Sequence, residues 1–532
     1  MEFNKVGFYW SKREFIYSLC GAFALLFWNL KNSFEFGRLA FIPTYDDVSY
    51  FLDALTRYIK FINGDIFLVF LDAVANPPHA PIIALQAIFS YMVFGVNDWA
   101  PYVTNIWILL FALLGAATVI RGIAMGRWIL FLYILTAPAL GAAVVEFRPD
   151  IAAGMLTAIS VTMAIYGVTD KARGILIRQV TWSGLIFGCA LWAKPSAFIY
   201  TLGLMTFGLI LSFIFVSVNS RYFSVQSFKR AAVILAIGAV LSAPYYLLAG
   251  HRVIEYTWDA IVRDKSIWAI DMDWGTHVRF YLFGQGGRFM MGLHVWAAML
   301  SIGIAIMCRW ANPLQRIRFF ILIFVILVGY IVVTVNSVKT HFLGVSFQLL
   351  LLIFSLLVFS DLMRQSKIWT IRLLMTFLVS ISLLSIQPAG FWGFKNSAQT
   401  QSINNVVATV IDRLAILSNK NSHPKTVFIT FTGFLNRDVL LYGLLKQGIS
   451  SMKIDSWFFR PQEEDPNQVF GRAIDRADIV IAASEGASVS SSGMPSNKIL
   501  PLTLSLVKHN NNFKLLEIIP AGQGNIYLYV RK

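Results

Sequence analysis

The stretch TYDDVSYF, residues 44–51, follows the first hydrophobic segment of the chain and carries two neighbouring aspartates, Asp46 and Asp47. Carboxylates beside a bilayer are costly to desolvate, and ionisable groups at such positions are typical of functional sites. The stretch therefore predicts a membrane protein with functional charged groups beside the bilayer. The acidic pair predicts chemistry at the outer face of the membrane.

The composition predicts that most of the chain lies in a membrane. Of its 532 residues 57% are hydrophobic and 14% are charged, and the mean hydropathy is +0.65. These values are far more apolar than those of an ordinary globular protein. Runs able to cross roughly 30 Å of hydrocarbon lie at about 15–30, 101–120, 128–145, 151–169, 180–193, 196–218, 231–249, 290–308, 319–335, 342–360 and 373–387.

The basic residues predict how these eleven spans are oriented. Every second connection is basic, beginning with the amino terminus: Lys5, Lys12 and Arg13; Arg121 and Arg127; Lys171, Arg173 and Arg178; Arg221, Lys229 and Arg230; Arg309, Arg316 and Arg318; Arg364, Lys367 and Arg372. The intervening short connections carry one cation each, Arg148, Lys194 and Lys339. The pattern predicts an amino terminus inside and a carboxyl terminus outside. It also explains much of the formal net charge of +16 without a nucleic-acid surface.

Two domains follow from this topology. Residues 1–387 are predicted to form a helical membrane domain with outer loops at 31–100 and 250–289, and residues 388–532 are predicted to form an extracytoplasmic domain. The apolar stretch at 79–96 is predicted to be an interfacial helix, since a span there would move every later basic loop outside. The helix from Asp47 onward is amphipathic and is predicted to lie flat on the headgroups.

The carboxyl-terminal part has the alternation of a small α/β domain. Strands are predicted at 425–431, 478–484, 513–520 and 525–531, and helices at 436–447, 466–476 and 497–509. No glycine-rich phosphate loop of the GxGxxG or GxxxxGK[ST] type follows the first strand, which argues against nucleotide binding. A lid, an acceptor-docking surface and a stabilising role remain open for this domain.

Short polar insertions between the spans hold the candidate site residues. They are the acidic pair, EFRPD at 146–150, LWAKPS at 191–196 and NSVKTHF at 336–342. A carboxylate suits proton abstraction from a hydroxyl group, and cations suit a phosphate leaving group. The candidates are Asp46, Asp47 and Asp150 for catalysis and Lys194, Arg148, Lys339, His341 and Arg279 for phosphate.

Each candidate also has a structural interpretation. The aspartates can cap the helix that begins near Asp47, and Arg148 with Asp150 can form a structural pair. Lys194 and Lys339 can be snorkelling anchors. His79 and His341 fit hydrogen-bonded interface positions better than a metal site, because no HExxH-type spacing is present.

The order of these motifs resembles that of the GT-C class of membrane glycosyltransferases. The resemblance is closest to the family-39-like branch, which contains the lipid A aminoarabinose transferases and the Rgt-type lipopolysaccharide-core transferases. It covers about residues 10–350 and rests on a first hydrophobic helix, DDVSY (46–50), NPPHAP (76–81), FG (94–95), FRPD (147–150), AKP (193–195) and KTHF (339–342).

The resemblance implies inverting transfer of a hexosyl or pentosyl group from a polyprenyl-phosphate donor to an envelope glycan, lipid or protein acceptor. The reaction would take place at the outer face of a bacterial cytoplasmic membrane. A divalent cation remains open as a cofactor. The resemblance implies that Asp46 of this chain corresponds to the catalytic base of that family and Asp47 to the acidic residue beside the base. Asp150 corresponds to the acidic residue of the second outer loop, and Lys194 to the lysine that holds the donor phosphate.

The chain also departs from the aminoarabinose transferases. They have Glu-Lys before the double proline, where this chain has Ala75 and Asn76. This difference argues against their substrate and leaves a zinc site inferred from that glutamate unsupported. Arg279 belongs to an outer loop rich in charged and aromatic residues, which suits either sugar phosphate or a merely amphipathic interface.

Two other classes of function remain as alternatives. A multi-pass transporter or flippase of envelope precursors also needs many spans, but it places ionisable groups within them. Here the polar groups gather between the spans and the outer loops are large, which favours an enzyme. A non-catalytic assembly factor for envelope polysaccharide is the third interpretation.

Overall fold

The computed structural model describes residues 11–75, 81–123, 125–170, 176–220, 225–263, 269, 271–308, 310, 312–366, 368–386, 397–418, 424–457, 465–490 and 495–532. The double proline of NPPHAP and His79 lie outside these residues.

Contacts divide the chain into two compact units. The helical unit comprises Met1–Leu30, Phe70–Ile83 and Tyr102–Ala389. The mixed unit comprises Lys31–Val69, Ala84–Pro101 and Gly390–Lys532. Much of the segment predicted as the first outer loop is therefore grouped with the carboxyl-terminal residues. The sequence-based division between 387 and 388 stays a prediction.

The chain is mostly helical. Its described α-helices are α1 (Lys12–Phe36), α2 (Tyr45–Ile62), α3 (Ile66–Ala75), α4 (Pro81–Phe94), α5 (Ala100–Thr104), α6 (Ile106–Val119), α7 (Arg127–Leu135), α8 (Pro138–Val145), α9 (Pro149–Thr169), α10 (Leu176–Ala193), α11 (Phe198–Ser220), α12 (Val225–Trp258), α13 (Trp274–Arg279), α14 (Gln285–Met290), α15 (His294–Met307), α16 (Pro313–Val335), α17 (Val345–Gln365), α18 (Ile368–Leu384), α19 (Ala398–Ser418), α20 (Arg437–Lys446), α21 (Pro466–Arg476) and α22 (Leu500–Lys508). Short 3-10 turns at Arg38–Ala40, Pro195–Ala197 and Pro495–Ile499 and a π turn at Asp259–Arg263 complete the helical elements among the described residues.

The helical unit is that of a multi-pass membrane protein. Among the described residues, 6 helical stretches are long and apolar enough to cross a membrane, or up to 7 when α7 and α8 count as one span bent by 43°. The six are Ala100–Val119, Pro149–Thr169, Pro195–Val218, Val225–Trp258, Pro313–Val335 and Val345–Gln365. The sequence-based count of eleven spans and their orientation stay predictions. The ambiguous stretch at 79–96 contains a helix, α4.

Helices α9 and α17 form the buried centre of this unit. Nearly every residue of α9 and most residues of α17 are buried, and the two helices pack against each other at Gly154. A Cβ atom added to Gly154 would lie 2.1 Å from Cγ1 of Val345 and 3.1 Å from the backbone nitrogen of Ser346. Only a residue without a side chain fits there, so the approach of the two helices depends on this glycine.

Basic residues also bind the ends of helices in this unit. Arg364 donates from Nη2 to the carbonyl groups of Val119, at 2.7 Å, and Arg121, at 3.0 Å. Where α9 ends, Nη2 of Arg318 donates to the carbonyl group of Tyr166 at 3.5 Å and Nε donates to Oγ1 of Thr169 at 2.9 Å. The last carbonyl groups of a helix have no partner within it. These arginines therefore supply donors where α6 and α9 terminate.

The mixed unit contains a five-stranded sheet. Its strands are β1 (Lys425–Thr430), β2 (Met452–Trp457), β3 (Ile479–Ala483), β4 (Phe513–Ala521) and β5 (Gly524–Arg531). Their order is β2-β1-β3-β5-β4, with β1 parallel to β2 and β3, and β5 antiparallel to β3 and β4. The predicted α/β domain and its four predicted strands are confirmed. β2 and α19 are additional to the prediction.

Helix α2 has a protein partner in the mixed unit. Its residues Val48, Phe51 and Leu55 are buried, and α2 packs on α20. The predicted amphipathic helix is present, but Phe51 and Leu55 of its apolar face are buried against α20 and do not lie on the headgroups. Ile62, at the end of the same face, is 59% exposed.

The substitution Gly154→Leu is expected to destabilise the helical unit by about 1–3 kcal/mol, since overpacking forces displaced side chains and backbone. Thermal unfolding of the protein in detergent measures the change. Gly203→Leu in α11 is the matched control, because a Cβ atom there meets nothing within 4 Å. Equal unfolding temperatures for the two variants would contradict the close packing.

Candidate functional site

The connection EFRPD carries three buried charged residues between α8 and α9. Glu146 and Arg148 have extended backbone conformations, and Pro149 begins α9 at a position where its missing N–H costs nothing. Asp150 lies in the first turn of α9. Helix α8 ends at Val145 and Pro149 starts α9, so the charged side chains lie at the junction of the two helices.

Glu146 is the centre of the contacts around this connection. Its side chain is 0% exposed, and its carboxylate lies 3.4 Å from Nε of Arg148 and 3.1 Å from Nε2 of His341. The ring of His341 also packs against that of Phe289 in a tilted arrangement, with a centroid distance of 4.1 Å. A buried carboxylate is stable only when it is paired and hydrogen-bonded. Glu146 therefore holds Arg148 and His341 in place.

Two cations from different connections meet at the ring of Phe342. The guanidinium carbon of Arg148 lies 4.2 Å from the ring centroid, and Nζ of Lys194 lies 5.5 Å from it. Both distances are within the range of cation–π attraction. We call Glu146, Arg148, Asp150, Lys194, His341 and Phe342 the cation cluster.

Lys194 is the most accessible charged residue of this cluster. It lies between α10 and the turn Pro195–Ala197 and forms an ion pair with Asp150. The side chain of Lys194 is 18% exposed, whereas that of Asp150 is 6% exposed. The cluster thus contains the side chains of one arginine, one lysine and two acidic residues, and solvent reaches the lysine.

Lys339 is placed differently from the other predicted phosphate ligands. Its ammonium group donates to the carbonyl groups of Val333, at 2.9 Å, and Thr334, at 2.7 Å, which lie at the end of α16. Burial lowers the pKa of the Lys339 ammonium group to about 8. Lys339 is therefore engaged with the end of the preceding helix, α16.

Arg279 also lies apart from the cation cluster. Its side chain is exposed, and Nε donates to the carbonyl group of Gly275 within α13, at 3.1 Å. Among the described residues, Arg279 makes no contact with the cation cluster. A β-bridge between Ala269 and Val338 nevertheless joins the segment before α13 to the connection that carries His341 and Phe342. The structure thus brings together Arg148, Asp150, Lys194 and His341, but not Lys339 or Arg279.

The acidic pair belongs to the mixed unit, and its two members differ. Asp46 is exposed, whereas Asp47 is 1% exposed, with Oδ2 4.0 Å from Nε of the buried Arg38. Thr44 occupies the N-cap position of α2. Both aspartates therefore lie in the first turn, where the helix dipole favours negative charge, rather than at the cap itself.

Three residues of these arrangements were not predicted as site residues: Glu146, Phe342 and Arg38. The signal for Glu146 was a carboxylate between two apolar helices, which needs a cationic partner wherever it is buried. Among the described residues, no group of three or more His, Cys, Asp or Glu side chains could hold a metal ion.

Solved structures of low sequence identity resemble the whole chain. ArnT from Cupriavidus metallidurans bound to undecaprenyl phosphate matches with a TM-score of 0.60 and 12% identity, over 96% of this chain and 97% of that one. Its apo state gives a TM-score of 0.58 and 12% identity, over 97% of each chain. The arabinofuranosyltransferase AftD from Mycobacteria gives 0.55 and 11%, over 98% of this chain and 40% of that one.

These similarities show the fold. The protein has a GT-C glycosyltransferase-like fold, as the order of its motifs predicted. No protein-family model and no curated protein sequence matches the chain.

Glu146→Leu is expected to destabilise the protein by about 3–5 kcal/mol, because it leaves the buried guanidinium group of Arg148 without its carboxylate. Thermal unfolding in detergent measures the loss. Glu485→Leu removes an exposed carboxylate and serves as the control. A Glu146→Leu protein as stable as this control would contradict the role of Glu146.

Proposed function

We propose that the protein is an inverting glycosyltransferase that moves a sugar from a polyprenyl-phosphate donor to an envelope glycan, lipid or protein acceptor. The reaction is placed at the outer face of a bacterial cytoplasmic membrane. The observation that carries the proposal is the meeting of Arg148 and Lys194 at Phe342. The GT-C-like fold and the undecaprenyl phosphate bound by the similar ArnT structure support the class of donor.

The cation cluster is assigned to the donor phosphate. Transfer breaks the bond between the anomeric carbon and the phosphate oxygen, so the leaving lipid phosphate gains negative charge. Fixed cations stabilise charge that develops in a transition state. Lys194 is exposed enough to reach a phosphate group, and Glu146 fixes the direction of the Arg148 guanidinium group. Asp150 holds the Lys194 ammonium group before the donor binds.

Asp46 is assigned as the base. It takes the proton of the acceptor hydroxyl group while the oxygen attacks the anomeric carbon on the face opposite the phosphate, which inverts the configuration. The exposure of the Asp46 side chain supports this role, since a base must reach its substrate. Asp47 is buried beside Arg38 and is assigned a supporting role. The family resemblance points to the same assignment.

Mass spectrometry of envelope glycans and polyprenyl-phosphate sugars, with and without the protein, tests the function. A glycan that disappears while a lipid-linked sugar accumulates identifies both substrates. Solute transport by purified wild-type protein without any sugar transfer would instead support the transporter or flippase. Proteoliposomes with the donor and acceptor identified in this way provide the kinetic assay.

Asp46→Asn is expected to lower the turnover number by about 10²–10⁴-fold, the usual contribution of a general base. The transfer rate in proteoliposomes measures this loss. Asp65→Asn is the control, since Asp65 is an exposed aspartate close to α2 in the same unit. A wild-type rate for Asp46→Asn would refute the base assignment.

Lys194→Ala is expected to lower kcat/KM for the lipid donor by about 10–100-fold, as for the loss of a hydrogen bond to a charged group. Initial rates at varied donor concentration give this ratio. Lys453→Ala removes an exposed lysine of the sheet domain and serves as the control. If both variants keep the wild-type ratio, Lys194 does not bind the phosphate.

A further inference from the structure

We propose that the carboxyl-terminal α/β domain positions the acidic helix α2, and that Asn404 of α19 is the positioning residue. The proposal rests on the proposed function, in which Asp46 on α2 is the base. It assigns the domain a role in catalysis without contact between Asn404 and the substrate.

The first contact is a two-point hydrogen bond from Asn404 to the backbone before α2. The backbone N–H of Ile42 donates to Oδ1 of Asn404 at 3.1 Å, and Nδ2 of Asn404 donates to the carbonyl group of Ala40 at 3.2 Å. Both ends of the amide are used, so the side chain fixes the position and direction of this short segment. The segment joins Arg38, the neighbour of Asp47, to the start of α2.

The second contact is apolar and holds the same segment. Phe41 is 5% exposed, and its ring centroid lies 4.9 Å from that of Phe434. The backbone N–H of Phe434 donates to the carbonyl group of Val489 at 3.1 Å. Phe434 follows β1 and Val489 follows β3, so the partner of Phe41 is fixed to the edge of the parallel strands.

The third contact fixes the helix itself. The buried face of α2 packs on α20, and the ring centroids of Phe51 and Tyr442 are 5.9 Å apart. Tyr442 in turn donates to Oδ1 of Asp98 at 2.9 Å. With this face buried, Asp46 is left on an exposed side of the helix.

Together these contacts set where the acidic pair lies. A misplacement of about 1 Å can cost a catalytic group about 100-fold in rate. Helix α19, the segment after β1 that carries Phe434, and helix α20 therefore determine the position of Asp46, the assigned base, which belongs to the amino-terminal part of the chain. Asn404 is the sharpest point to test, because its amide makes specific contacts that an alanine lacks.

The test compares Asn404→Ala with Asn405→Ala, its exposed neighbour on the same helix. We call the two hydrogen bonds that join Asn404 to Ile42 and Ala40 the clamp. Hydrogen exchange of the purified protein reports directly on this clamp. The exchange rate of the Ile42 amide is expected to rise about tenfold in Asn404→Ala, the equivalent of one net hydrogen bond, and to stay unchanged in Asn405→Ala. An unchanged rate in both variants overturns the clamp, whatever the function of the protein.

Turnover in proteoliposomes then tests the catalytic part. The turnover number of Asn404→Ala is expected to fall about tenfold or more, while the stoichiometry of undecaprenyl phosphate binding stays at the wild-type value. In the Asp46→Asn background the same substitution is expected to lower the residual rate less than twofold, since the group it positions is already lost. Asn405→Ala is expected to change neither rate.

The outcomes separate this proposal from the proposed function. A wild-type turnover number in Asn404→Ala, or an equal loss in both backgrounds, overturns positioning. Full activity of Asp46→Asn overturns the base assignment instead, and with it the catalytic role of Asn404. Faster exchange of the Ile42 amide together with unchanged turnover leaves a clamp that stabilises the fold only, which also overturns the catalytic role.

Discussion

One buried negative charge organises the connections of the helical unit. The carboxylate of Glu146 is enclosed by protein and is tolerable there only beside Arg148 and His341, because a buried ion needs partners that compensate its lost hydration. This requirement ties the junction of α8 and α9 to the connection between α16 and α17. Phe342 follows His341 directly, so the ring at which Arg148 and Lys194 meet depends on the same charge.

The basic residues of the chain have two physical roles. Their distribution predicts the orientation of the spans, and several also bind the carbonyl groups at helix ends. Arg364 binds the carbonyl group of Val119, the last residue of α6, and Lys339 binds the end of α16. Backbone groups cannot be left unsatisfied in hydrocarbon. A cation that caps a helix end is therefore already engaged, whereas Lys194 pairs with a side chain that a ligand can replace.

Sequence patterns predict local structure here better than they predict contacts. The strand β3 is apolar throughout, IVIAA, and was predicted, whereas MKIDSW in β2 mixes charges with apolar residues and was not. Four predicted site residues come together because short connections leave them little freedom. The sequence does not distinguish Lys339 from these four residues. Lys339 donates to the backbone carbonyl groups of Val333 and Thr334, and such groups are present at every position of a sequence. The contact of Asn404 with Ile42 joins positions 362 residues apart, which no local pattern reveals.

The burial of α2 against α20 has a consequence for the synthesis of the protein. More than 370 residues separate Ile62 at the end of α2 from Arg437 at the start of α20. At about 5–20 residues per second, a ribosome needs roughly 20–75 s to make this stretch. Until then the apolar stripe of α2 has been translated and its partner has not. An amphipathic helix can shelter such a stripe at a membrane surface, so lipid contact suits the nascent chain and protein contact the finished one.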